Sequence, residues 1–304
     1  MKHAMLRTVL LAAFLSAPLS ASAADYLLYY LGGQSNMDGY GFVSELPEGW
    51  SGPVERVMIF QGNQGVDGEK AGGEGLWAPL QPGFGTGFAS DGVNNRLSER
   101  FGPELAFGRR MAELNPGARI ALIKYSRGGT SLLEGASGYG NWEPDSELGG
   151  GSNQYDFALA TMRNALSQAD IDGDGEADTL VPAGIAWMQG EADAYDNPVA
   201  ARAYRENLQR MMNLLRAALR VDDLPVAIGR INDSGRDEDG LLMDYSPAVQ
   251  RAQADYAASD RCAALVEMDD EIGWSDDWHY GTRDYILLGA GFADAIHTLS
   301  DSCP

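Results

Sequence analysis

The chain has 304 residues, with 22 Lys and Arg against 44 Asp and Glu, for a formal net charge of −22. Such a polyanion has no counterion-release route to nucleic acid, is repelled by anionic membranes, and weakly disfavours polyanionic substrates; the charge itself reads best as a solubility device in a salty habitat. Only three histidines (His3, His279, His297) and two cysteines (Cys262, Cys303) are present, so imidazole chemistry has few candidates and a zinc site is short of ligands.

In chain order, Lys2 and Arg7, an apolar run over 9–19 and Ala21-Ser-Ala23 read as a secretory signal over residues 1–23. The apolar run is too short to span a bilayer, and no later one is longer. The expected product is a single domain over 24–304, secreted or periplasmic, with no membrane attachment once the signal is cleaved. Losing Lys2 and Arg7 takes its net charge from −22 to −24. In an oxidising compartment Cys262 and Cys303 are candidates for a disulfide that ties the C-terminal tail to a late strand.

Short apolar runs over 26–31, 56–60, 119–125, 183–188, 225–231 and 263–268 predict strands. Most are apolar throughout, as strands covered on both faces are. Between them, 103–114, 155–169, 198–219, 247–259 and 284–299 carry helical patterns, with Pro103 and Pro198 at first turns where proline is tolerated. This alternation predicts an α/β fold with a mostly parallel central sheet between helix layers. In such folds the ligand crevice lies at the carboxyl ends of the strands. Two long loops, 61–102 and 134–153, carry Trp77 in the first and Tyr139 and Trp142 in the second. Those rings serve either to stack on sugar faces or to pin the loops to the core.

The chemistry-bearing residues fall just after predicted strands. Ser35 follows the first, in Gly-Gly-Gln-Ser-Asn-Met (32–37), where a turn into a helix exposes a hydroxyl and leaves backbone N–H groups free. A serine there is often only a turn or cap residue, and no Gly-x-Ser-x-Gly elbow occurs in the chain. Gly128-Gly129-Thr-Ser-Leu132 follows another strand and offers an unobstructed N–H, and Gln189-Gly-Glu-Ala-Asp193 offers a side-chain amide after a third. Near the C-terminus, Asp276-Asp-Trp-His279 pairs a carboxylate with the chain's one well-placed imidazole. A hydroxyl becomes a useful nucleophile when a base takes its proton and a third group holds that base.

These four blocks, in this order, resemble the SGNH hydrolase superfamily, and more narrowly its sialate O-acetylesterase-like branch, which includes the acetyl xylan esterases of carbohydrate esterase family 6. The resemblance spans about residues 26–288. It implies a three-layer α/β/α sandwich of flavodoxin-like type and hydrolysis of O-acetyl esters on carbohydrate, with no cofactor required. Carried over residue by residue, it implies Ser35 as nucleophile, His279 as general base and then acid, and Asp276 as its orienting carboxylate, with Asp277 an alternative. Ser35 N–H, Gly129 N–H and the Gln189 amide would form the oxyanion hole; the glutamine, where the wider superfamily has asparagine, is what narrows the assignment. Glu191 and Asp193 are expected to anchor loops, and His297 to pack or face solvent.

Outside those blocks, Asp170, Asp172, Asp174 and Asp178 have the alternation of a calcium loop, although Val181 stands where its bidentate glutamate would be. A short structural calcium site and a solvated acidic turn are the two readings. For function, an acetylesterase acting on xylan-type or sialic acid glycans leads. A small-ester or aryl esterase on the same triad follows, and a non-catalytic glycan-binding protein ranks below both. Neither the specific glycan nor the oligomeric state is legible.

Overall fold

The computed structural model describes residues 25–65, 72–147, 153–268 and 271–303, so the expected signal segment lies outside the described residues. Seven strands form the main sheet: β1 (Asp25–Gly33), β3 (Val57–Gln61), β4 (Trp77–Pro79), β8 (Arg119–Ser126), β9 (Thr179–Met188), β10 (Val226–Gly229) and β11 (Ala263–Val266). Two short antiparallel pairs lie apart from it, β2 (Gly41–Phe42) with β7 (Arg100–Phe101) and β5 (Ala89–Ser90) with β6 (Asn95–Arg96). The order across the main sheet is β11-β10-β9-β1-β8-β3-β4, parallel throughout except for β4 at the edge. The chain leaves β1 for β3, returns to β8 between them, and crosses to β9 on the far side of β1. The connections thus reverse direction at β1, whose carboxyl end lies between those of β8 and β9.

Each face of β1 shows why the run is apolar throughout. Tyr29 meets Phe107 of α2 (Pro103–Leu114) with ring centroids 5.3 Å apart, on the face where α2 packs with α7 (Thr282–Ser300). Tyr30 points the other way, towards Tyr125 and Trp187, where Tyr125 in turn meets Phe157 of α3 (Gln154–Leu166). On that side α5 (Pro198–Leu219) packs with α6 (Ser246–Ser259), giving three layers. The predicted helices and parallel strands are all present, within a few residues of their expected ends.

Two differences have local causes. Strand β9 begins at Thr179, earlier than expected, although Pro182 has no N–H to donate. Its only neighbour there is β1, since β10 pairs with β9 only from Ile185 onward, and the register slips between Leu28 and Tyr29 to pass it. Strand β4 is only Trp77-Ala-Pro79, too short and without alternation, so its sequence carries no strand signal. Cys262 and Cys303 form a disulfide that joins the start of β11 to the tail beyond α7. Among the described residues no helix is long and apolar enough to cross a membrane.

Candidate functional site

The carboxyl ends of β1, β8 and β9 are laced together by backbone bonds. Gln34 N–H donates to Met188 O at 2.9 Å, and Arg127 N–H to Gly33 O at 3.1 Å. Gly33 has φ +146°, and a Cβ there would lie 1.9 Å from Met188 O, so only glycine lets β1 turn this close to β9. The turn feeds a single helical turn, α1 (Ser35–Asp38), with Ser35 its first residue and almost wholly buried. The Ser35 N–H finds no protein acceptor among the described residues, as expected for the first N–H of a helix. Gly128 lies directly against this serine, since a Cβ there would be 3.3 Å from the Ser35 Cβ. The next residue, Gly129, has φ +72° and likewise leaves its N–H without a protein acceptor among the described residues.

His279 Nδ1 is 2.7 Å from Asp276 Oδ2, while Asp276 Oδ1 accepts the backbone N–H groups of Trp278 and His279 at 2.7 and 2.8 Å. Partial burial works to raise the Asp276 pKa, but the bonds from the His279 ring and these two N–H groups outweigh it and hold the carboxyl below the usual range. Asp277 points elsewhere, to Arg236 at 3.2 Å. The Tyr40 ring lies flat on the imidazole, centroids 3.6 Å apart and planes within 3°. No hydrogen bond joins the Ser35 hydroxyl to His279 among the described residues; such bonds often close only around substrate.

What fixes the His279 segment against α1 is Asn36, which the sequence reading left unassigned. Its amide donates to Trp278 O at 3.2 Å and to Glu191 Oε1 at 2.7 Å; its carbonyl accepts Tyr280 N–H at 3.4 Å and the Tyr285 hydroxyl at 2.8 Å. One side chain, adjacent to the serine, therefore clasps the backbone on both sides of the histidine. Burial raises the Glu191 pKa against the lowering effect of the Asn36 bond. Asp193, in the short helix α4 (Glu191–Ala194), accepts Leu132 and Leu133 N–H at 2.8 and 3.2 Å and so secures the loop that carries Gly129. Both acids thus do the anchoring expected of them.

Gln189 differs from its expected role. Its amide nitrogen faces Asp193 Oδ2 at 2.7 Å, Thr130 O at 2.9 Å and Gln34 Oε1 at 3.3 Å, more acceptors than it has hydrogens, so in this arrangement it has none for an oxyanion. Gln34 stands in front of it. Its Oε1 also accepts Gly190 N–H at 3.2 Å and Ala192 N–H at 3.4 Å, which fixes the orientation of the carboxamide. Its Nε2 has no protein acceptor among the described residues. Gln34 and Asn36 both sit inside the Gly-Gln-Ser-Asn-Met block, which was the available signal; Tyr40 gave none.

The acidic loop lies elsewhere, ahead of β9. Carboxylates of Asp170, Asp172 and Asp174 come within 4.8 Å of one another, a group that does not include Asp178. Asp170 accepts Gly173 and Gly175 N–H, Asp178 accepts Ile171 N–H, and Asp172 is paired with Arg119 at 2.6 Å and with the Tyr26 hydroxyl. These bonds brace the loop's own backbone and tie it to Arg119 at the start of β8. His297 sits in the last turn of α7, the end remote from His279.

A family model described as "Carbohydrate esterase, sialic acid-specific acetylesterase" matches residues 25–298. The chain belongs to this acetylesterase family. A sequence search of curated proteins gives no match. Among solved structures, a protein from Arabidopsis thaliana superposes with TM-score 0.60 at 19% identity, covering 91% of this chain and 99% of that one. NanS does so with TM-score 0.59 at 15% identity, covering 93% and 100%. A carbohydrate acetylesterase from Xanthomonas citri gives 0.61 at 16% identity, covering 90% of this chain but 57% of that longer one. At such identities these neighbours establish the shared fold. As a member of the family the chain is an ester hydrolase of the acetylesterase type.

Proposed function

We propose that this acetylesterase is exported and removes O-acetyl groups from acetylated glycans, of xylan or sialic acid type, through an acetyl-serine intermediate. The observation that carries the mechanism is the His279–Asp276 pair at 2.7 Å, whose segment is clasped by Asn36, the residue beside Ser35. Ser35 Oγ attacks the acetyl carbonyl carbon as its proton passes to Nε2 of a neutral His279. Asp276 holds Nδ1–H and stabilises the imidazolium that forms. The tetrahedral oxyanion is held by the N–H groups of Ser35 and Gly129 and by the Gln34 amide, with Gln189 fixing Gln34 and Thr130 from behind. Collapse breaks the bond to the sugar oxygen, which leaves with the proton from Nε2. Water, deprotonated by His279, then attacks the acetyl carbon, and acetate leaves as Ser35 regains its proton. Every step uses groups of the chain itself.

The test is acetate release by the purified protein from acetylated xylan and from an O-acetylated sialic acid, with Ser35→Ala and His279→Ala alongside. Release from at least one glycan, lost by a factor of about 10³ or more in both variants, is the expected result. Undiminished release by Ser35→Ala would sink the serine mechanism, and no release from either glycan would remove the carbohydrate assignment.

A further inference from the structure

Three aromatic side chains are substantially exposed among the described residues, Phe42, Tyr139 and Tyr195, and two of them, Tyr139 and Tyr195, lie against segments of the Ser35–His279 site, at Gly129 and Trp278. A single exposed ring needs no explanation, but two exposed rings set against the oxyanion loop and the His279 segment do. The loop tryptophans that the sequence offered for sugar stacking are committed inward. Trp142 is fully buried and donates to Thr130 Oγ1 at 3.0 Å, and Trp77 packs on Phe60 and donates to Ala165 O. Tyr139, on the same loop as Trp142, is 69% exposed and lies on Gly129, where a Cβ would be 2.7 Å from its ring. Its position is fixed, because the Ser137 hydroxyl donates to Gly129 O and accepts Tyr139 N–H. Tyr195, 47% exposed, meets Trp278 edge-on with centroids 5.2 Å apart, one residue from His279. Phe42 carries the Arg100 guanidinium on its face at 3.5 Å, so it offers less free surface.

We propose that Tyr139 and Tyr195 are two walls of a sugar-binding subsite, one beside the oxyanion loop and one beside the general base, each offering a ring to a pyranose unit of the acetylated glycan. This rests on the carbohydrate reading above and adds the residues that recognise the substrate. A pyranose ring presents C–H groups on its faces, which pack on the electron-rich face of a tyrosine while its hydroxyls stay in water. The recognition is uncharged, as suits a protein whose own charge is −22.

The test compares Tyr139→Ala and Tyr195→Ala with Tyr139→Phe and Tyr195→Phe. Each is measured on an acetylated xylo-oligosaccharide and on p-nitrophenyl acetate, and for oligosaccharide binding in a Ser35→Ala background by calorimetry. Each alanine change is expected to weaken oligosaccharide binding by roughly three- to tenfold and to lower, by a similar factor, the ratio of kcat/KM for the oligosaccharide to that for the small ester. The phenylalanine changes keep both, and affinity stays constant from low to high salt. Equal losses on both esters would overturn the proposal, since the rings would then act through the catalytic geometry, and so would unaltered binding in both alanine variants. A parent protein that cleaves p-nitrophenyl acetate but deacetylates neither the xylo-oligosaccharide nor an O-acetylated sialic acid would fail the carbohydrate reading itself, and the subsite with it.

Discussion

At the residue scale the sequence left two adjacent aspartates competing for one role, and the structure separates them by direction. Asp276 turns back on its own segment, accepting two backbone N–H groups and the imidazole; Asp277 turns outward to Arg236. Asp276→Asn puts a donor opposite Nδ1–H, which favours the wrong tautomer. It should cost about 10²-fold or more in kcat with little change in KM. Asp277→Asn, which removes only an exposed ion pair, should stay within about twofold. Steady-state kinetics on a small acetyl ester decide this, and the reverse pattern would assign the orienting role to Asp277. Spacing alone could not distinguish the two, because both lie within reach of a following histidine. Asn36 was missed for a related reason. A sequence motif shows which residues are near a serine along the chain, not which of them reaches across to a segment more than two hundred positions away.

At the element scale the long loop between β3 and α2 is tied to the sheet by one buried ion pair. Lys124, on β8, donates to Glu104 Oε2 at 2.7 Å, Phe84 O at 2.7 Å and Asp38 O at 2.9 Å, and neither member of the pair has side-chain exposure. Glu104 also accepts Gly102 N–H at 2.9 Å, closing the amino end of α2. One ammonium thus holds the end of α1, the loop and the start of α2 together. Lys124→Met leaves a buried carboxylate without its counter-charge and should destabilise by about 3–5 kcal/mol, with Lys124→Met/Glu104→Gln recovering part of it. Urea denaturation of the two variants measures this, and a double variant no more stable than the single would show that Lys124 matters for the carbonyls it binds rather than for the charge. The strand–helix alternation was legible because buried parallel strands and amphipathic helices leave strong periodic signals. The role of Lys124 was not, since a lysine inside a predicted strand gives no sign of the carboxylate and carbonyls that close over it.

At the scale of the whole molecule, acidity and burial act together on stability. Burial dominates the Asp193 carboxyl and raises its pKa to about 6, despite the bonds from Gln189 and from Leu132 and Leu133 N–H that lower it. Burial also raises Glu191 and Asp38. A carboxyl whose folded pKa exceeds its unfolded value of about 3.9 stabilises the native state most below that value. The contribution is lost as pH rises through the folded pKa, and for Asp193 it amounts to about 3 kcal/mol between pH 4 and 6. Asp276 and Asp260 are shifted downward, so their contributions fade only below the unfolded value, outside that window. Protonation in the same range also relieves the self-repulsion of a chain with net charge −22. The melting temperature should therefore rise as pH is lowered from 7 to about 5. Asp193→Asn should melt lower throughout, because an amide cannot accept all three bonds, and its rise should be shallower. Calorimetric scans across that range at fixed ionic strength test both statements. A wild-type midpoint that falls on acidification would mean that the buried acids are offset by groups gaining charge in the unfolded chain. An equal slope in the variant would remove Asp193 as the source and leave surface repulsion as the cause.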